Sequence, residues 1–310
     1  LGIVFSGAPV IIPAIANWFA NRRGTAIGIG IAGGALSFSM VTYAEYLISM
    51  FGWRLSFVLL SGTVVGIAIP LVLLFFSYRP RGQEQHPQEM ETVPASENEY
   101  EKKEVNVSSA SNNLSAVQII KNHRLWLLML AYMLYMGIAN YMIIAHQVVF
   151  FLDLGYGSLF AASVAGAVGI FAALGALSGF LSDWMGREKI FTLASVLSII
   201  SLLILLSQKD ASSPWALYIF VFCFGFPMGL HVPTMVAGAA DLFYGKHFGM
   251  VNGMLLMGFG LGGAIGPWIG GYIFDVTGNY SLAFIIGIAA YGLACISFWI
   301  AAPRRAARTA

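Results

Sequence analysis

The sequence predicts an all-α, polytopic membrane protein with nine transmembrane helices, and three observations predict it. First, 58% of the 310 residues are hydrophobic and only 10% are charged, whereas a water-soluble domain carries about 25% charged residues. Mean hydropathy is +0.79, and 35 glycines suit membrane helices, where Gly is commoner than in soluble ones. Second, nine stretches lack Asp, Glu, Lys and Arg: 1–21, 24–44, 55–78, 125–152, 154–182, 190–208, 211–240, 248–274 and 276–303. Each approaches or exceeds the roughly 20 apolar residues that span a bilayer. Third, the basic residues segregate. With Arg22 and Arg23 placed in the cytoplasm and the loops alternating from there, 14 of the 16 lysines and arginines fall on that side, as the positive-inside rule requires. Only Arg54 and Lys209 fall outside.

The elements follow in order. The basic pair Arg22–Arg23 separates the first two spans. A short outer turn around Gly52 and Arg54 precedes the third. Asp210, two serines and Pro214 open the span that begins near 211, as a helix start does, and "TGNY" at 277–280 marks the turn between the last two. A β-barrel is excluded because these runs are continuously apolar and far longer than alternating strands of about ten residues. Cys223 and Cys295 lie within apolar runs and are read as small packing residues.

Residues 79–123 differ from the rest. They hold seven of the fourteen acidic residues among Ser, Asn, Gln and Pro, a composition that buries too little apolar surface to fold alone. The chain is therefore divided into 1–78, a flexible cytoplasmic linker at 79–123, a six-span block at 124–303 and a cytoplasmic tail at 304–310. Within the linker, 114–126 is expected to form a short amphipathic helix. Three spans before the linker and six after it, together with an opening at Leu1 and no basic leader, suggest three further spans upstream.

An internal repeat supports that expectation. Gly24, Gly28 and Gly33 recur as Gly249, Gly253 and Gly258, and Tyr46 and Gly52 recur as Tyr272 and Gly278. Both glycine sets open a span at its cytoplasmic end. Small residues on one helix face let membrane helices approach closely, so the six glycines are expected at helix contacts.

"GFLSDWMGREK" (179–189) resembles the loop signature G-x-x-x-D-R/K-x-G-R-R/K of the major facilitator superfamily, through Gly179, Asp183, Gly186 and Arg187. "WFANRRGTAIGIGIAG" (18–33) resembles the signature of its monocarboxylate-transporter-like branch at the start of the family's helix 5. It matches at Trp18, Phe19, Arg22, Arg23, Ala26, Gly28, Ala32 and Gly33. The oxalate/formate-antiporter-like members are similar. The resemblance implies helices 4–12 of a twelve-helix major facilitator fold, and a transporter working by alternating access. It also implies a latch in which Asp183 faces the N-terminus of the family's helix 5, where a carboxylate is favoured, beside Arg22 or Arg23.

Ionisable and polar groups inside the spans are the site candidates. Glu45 is the proton-coupling candidate. His231, Asn140, Tyr141 and His146 are the cavity candidates, and Pro227 and Pro233 are expected to make the helix around His231 irregular. In the related carriers a basic residue inside helix 8 holds the substrate carboxylate; the corresponding position here is Ala176. The implied function is secondary transport of a small solute, an organic mono- or dicarboxylate anion, by proton symport or exchange. A neutral-solute or drug carrier is the alternative, and a transporter-like receptor a further one. No HExxH, GxSxG, Walker A or ligand-spaced Cys/His cluster is present, so neither an enzyme nor a cofactor is expected. The expected partners are the bilayer and the solute, with no nucleic acid, in a monomer of the bacterial inner membrane or a plasma membrane.

Overall fold

The computed structural model describes residues 23–70, 115–243 and 247–301, and among these every regular element is helical. The first expected span, Arg22, most of the linker, Lys246 and the tail lie outside the described residues. Helix α1 (Arg23–Leu36) runs through a single 3-10 turn at Ser37–Ser39 into α2 (Met40–Thr63), which continues as a short π-helical segment, Val64–Ala68. A short α3 (Ala116–Lys121) follows, then α4 (His123–Tyr132), an eight-residue π-helical segment (Met133–Asn140) and α5 (Tyr141–Asp153). The chain goes on as α6 (Ser158–Leu177), α7 (Phe180–Met185), α8 (Arg187–Ser207), α9 (Pro214–Phe243), α10 (Phe248–Thr277) and α11 (Ser281–Ala301).

Seven helical runs among the described residues are long and apolar enough to cross a bilayer. Six correspond to the spans expected after the linker. The seventh, Gly28–Ile67, contains two expected spans in 40 residues. It is broken at Gly52, whose φ of 72° and ψ of 163° no helix contains. The repeat partner Gly278 ends α10 with φ 70°. Two glycines matched only by sequence offset thus both carry positive φ, a conformation that most side chains adopt only with strain.

Local chemistry sets the ends. Ser115 and Gln118 form a reciprocal capping box that starts α3, and Asn122 restarts the helix by accepting from the Arg124 amide. The expected amphipathic helix is therefore only six residues long, and its Ile119 is buried. Pro227 and Pro233 sit inside α9, which continues unbroken from residue 214 to 243, so the expected irregular segment is not found. Each proline removes one intrahelical bond, and the flanking turns hold the helix. Both cysteines are free thiols. Exposed tryptophans mark two levels: Trp53, Trp215 and Trp268 towards one end of the helices, and Trp126, Trp184 and Trp299 towards the other. That is the pattern of interfacial aromatic belts.

Candidate functional site

Helices α1 and α2 lie along α6, and backbone contact holds the seam together. A Cβ on Gly28 would overlap the carbonyl oxygen of Ala176. At Gly169 it would fall 2.8 Å from the Ala35 carbonyl oxygen, and at Gly166 it would overlap the Thr42 hydroxyl. That hydroxyl donates to the carbonyl of Ala162 at 3.1 Å. The contacts advance by seven residues on each side, from Gly28 to Ala35 to Thr42 and from Ala176 to Gly169 to Ala162. Seven residues are two helical turns, so two antiparallel helices with small residues at that spacing keep one face together. The seam is about 21 Å long at 1.5 Å per residue, most of the roughly 30 Å hydrocarbon thickness. Ala176 is fully buried in it, with its carbonyl against Gly28.

At the Ala176 end of the seam, α7 packs beside α1. Gly186, with φ 107°, turns the chain from α7 into α8 and brings Arg187 across the end of α9. Arg187 Nη1 meets Asp183 Oδ1 at 2.6 Å and donates to Ser182 Oγ at 2.7 Å, while its Nε donates to Asp241 Oδ2 at 3.0 Å. The guanidinium fork so ties the α7 loop to α9. Gly179 adds to the joint, because a Cβ there would lie 3.0 Å from the Pro233 ring. The observed partner of Asp183 is therefore Arg187. Of the other latch residues expected from sequence, Arg22 and the side chain of Arg23 lie outside the described residues. Asp241 was missed, although a lone carboxylate within a 30-residue apolar helix is a signal in itself.

The interior of the α4–α11 bundle is polar where four helices meet. The His231 ring stacks on Tyr135 with centroids 3.8 Å apart and planes 1° apart, and Phe191 packs at 4.8 Å. His231 is fully buried, and neither ring nitrogen has a hydrogen-bond partner among the described residues. Tyr135 Oη and Ser198 Oγ share a hydrogen bond of 2.8 Å. Asn140 is also fully buried: its amide donates to the Tyr135 carbonyl at 3.0 Å, and its oxygen accepts from Tyr291 Oη at 3.2 Å. The first of these bonds reaches back five residues and occupies a carbonyl in the π-helical segment, a feature frequent at functional sites.

The other candidates are dispersed. Tyr141 is half-buried and packs edge-on against Phe259. His146 Nε2 lies 2.9 Å from the Pro267 carbonyl and Nδ1 lies 3.5 Å from Tyr280 Oη, which joins α5 to α10 near the Gly278 turn. Glu45 is half-buried on α2. Of the glycines expected at helix contacts, Gly28 and Gly258 are there, the latter against Met129. Gly33, Gly249 and Gly253 have no described atom within 4 Å of a built Cβ, and the packing of Gly24 lies outside the described residues. Periodicity within one helix does not reveal which face the partner takes, and the glycine contacts fall instead at Gly166, Gly169, Gly175, Gly229, Gly262 and Gly266.

Fold and seam define a polytopic helical membrane protein whose N-terminal helices lie on a C-terminal six-helix bundle. The family model of the Major Facilitator Superfamily matches residues 1–206 and 171–310, and the chain belongs to that family of membrane transporters. It is 23% identical over 279 residues to monocarboxylate transporter 13 of Bos taurus, an alignment spanning 89% of this chain and 59% of that protein. Among solved structures it resembles the E. coli fucose:proton symporter FucP, with TM-score 0.55 and 16% identity over 83% of this chain and 58% of that one. The structure of FucP in the outward conformation is similar, with TM-score 0.57 and 17% identity over 90% of this chain and 72% of that one. The chain thus spans little more than half the length of the curated relative it matches.

Proposed function

We propose that this chain forms part of a secondary transporter that moves a small organic anion by rocking its two halves about the α1/α2–α6 seam, with proton symport or anion exchange. The seam carries this reading. It is a long contact between the two halves, made mostly of backbone against backbone, with Thr42 and Phe38 meeting the α6 glycines, so small rotations can part either end with little unpacking. The Arg187 fork at one end joins Asp183 to Asp241 within the C-terminal block and so fixes the α7 loop that packs beside α1 on the closed cytoplasmic side. Charge-assisted hydrogen bonds of this kind contribute about 1.5–3 kcal/mol each, and partial exposure of both carboxylates lowers that figure through solvent screening. By holding the α7 loop against α1, the fork acts as an indirect latch that biases a rocking equilibrium without freezing it. Loops on the Arg187 side, the linker and the tail are assigned to the cytoplasm of a bacterial inner membrane or a plasma membrane.

A second reading, a neutral-solute or drug carrier, is favoured by Ala176. Ala176 is buried and uncharged at the position where the resemblance to carboxylate carriers implies a cation. Uptake of labelled lactate, pyruvate, formate and oxalate by the purified protein in proteoliposomes, with and without an inward proton gradient, separates the two. Gradient-stimulated uptake of an acid supports the anion reading, and no uptake of any of the four by folded protein refutes it.

A further inference from the structure

At the end of the bundle opposite the Arg187 latch, a cleft of about 180 Å³ opens between the ends of α5, α8 and α10 and the start of α11. Three helix C-termini converge on it, those ending at Asp153, Ser207 and Thr277. Each carries the negative end of a helix dipole, equivalent to about half an elementary charge, and one N-terminus, that of α11, opposes them. Asp153 lines the cleft, is exposed, and makes no hydrogen bond or ion pair with a described residue. A second carboxylate, Asp275, lies near enough to act electrostatically on Tyr280, as Asp153 does. The phenol of Tyr280 is held above its ordinary value, first by burial and then by these two carboxylates.

The walls are aromatic. Phe150 and Tyr280 stand nearly perpendicular, at 87° with centroids 6.0 Å apart. Phe274 stacks on Tyr280 at 4.5 Å, and Phe284 meets Phe150 edge-on at 5.1 Å. Phe150 and Phe274 stay half-buried and offer aromatic surface to the cleft beside an unpaired carboxylate in a negative field, a combination that attracts a weakly hydrated organic cation. The volume is below the roughly 300 Å³ of the smallest drug-sized sites, which limits the occupant to a head group.

We propose that this cleft is a binding site for a quaternary ammonium group, separate from the transport seam. The group could be that of a free solute or of a choline lipid at the membrane surface. It is tested by binding, not transport, so that failure of the transport reading leaves the result interpretable. Choline is titrated by calorimetry onto the purified protein in nanodiscs of phosphatidylglycerol, which carries no amine. The uncharged isostere 3,3-dimethylbutanol and sodium ion serve as controls.

Saturable choline binding, at least tenfold weaker in Asp153→Asn and absent for the isostere, is expected. Thermal melts of both proteins confirm that the variant is folded. Loss of free choline binding in phosphatidylcholine nanodiscs would identify the lipid as the source, and its persistence would identify a free solute; either supports the site. Absence of choline binding, equal binding of the isostere, displacement of choline by millimolar sodium, or undiminished binding to folded Asp153→Asn would overturn it.

Discussion

The carbonyl oxygen of Ala176 occupies the space that a side chain on Gly28 would need. Gly33, five residues along the same helix, has no described atom within 4 Å of a built Cβ. The two glycines look alike in sequence and differ in what faces them. Gly28→Val is therefore expected to push α1 from α6 and to reduce transport at least tenfold, whereas Gly33→Ala should stay within twofold of the parent. Equal effects of the two substitutions on transport, at matched expression and folding, would remove the seam from the mechanism.

Arg187 serves two carboxylates that share no other described cation. Asp241→Asn removes one arm of the fork and leaves Arg187 paired with Asp183. It should shift the populations of inward- and outward-open states by several-fold, with a stability loss of about 1 kcal/mol or less, since the site is partly exposed. Arg187→Lys keeps the charge but cannot reproduce the forked geometry, so its shift should match or exceed that of Asp241→Asn. Spin-label distances between α1 and α7 at the Arg187 end of the seam read both; unchanged distributions would sink the latch.

His231 buries two nitrogens with no partner among the described residues, at a cost of about 1–3 kcal/mol for each unsatisfied group. Phenylalanine keeps the stack on Tyr135 and removes the polar atoms. His231→Phe should raise the melting temperature by about 2–4 °C per kcal/mol recovered. A lower melting temperature would show that the ring nitrogens do find partners in the folded protein.

Gly52 and Gly278 both have positive φ, yet with different ψ. Gly278 sits in the left-handed helical region with ψ 9°, which Asn adopts at little cost. Gly52 has ψ 163°, a region that is essentially glycine-only. Gly278→Asn should therefore be nearly neutral, while Gly52→Asn should cost about 1–3 kcal/mol, read from thermal melts in detergent.

Much of the fold was legible because a bilayer leaves few options. Long uncharged runs must be helices, and the asymmetry of Arg and Lys fixes a consistent topology. The repeat was legible in part, since Gly52 and Gly278 both carry positive φ at matched places. The joint around Arg187 was only half legible. Asp183, Gly186 and Arg187 stand in one loop motif, but Asp241 lies 54 residues from Arg187, and only folding brings α9 beside α7. Asn140 was recognised as polar within a span, while its role in closing the π-helical segment depends on a bond to the Tyr135 carbonyl five residues back. Helix–helix contacts were least legible: glycine spacing names the residues able to pack and not the neighbour they meet.

The most direct test is a lock on one end of the seam. Thr42→Cys and Ala162→Cys, placed where the Thr42 hydroxyl meets the Ala162 carbonyl, are oxidised to a disulfide in protein lacking Cys223 and Cys295. Maleimide labelling of a third thiol, Ala176→Cys, is then measured at the other end. Rocking halves would leave that end free to open, so labelling of the buried Ala176→Cys thiol should rise several-fold in the locked protein and fall again on reduction. Labelling that stays low and identical in locked and reduced protein would mean that the seam is a static contact and that the halves do not rock about it.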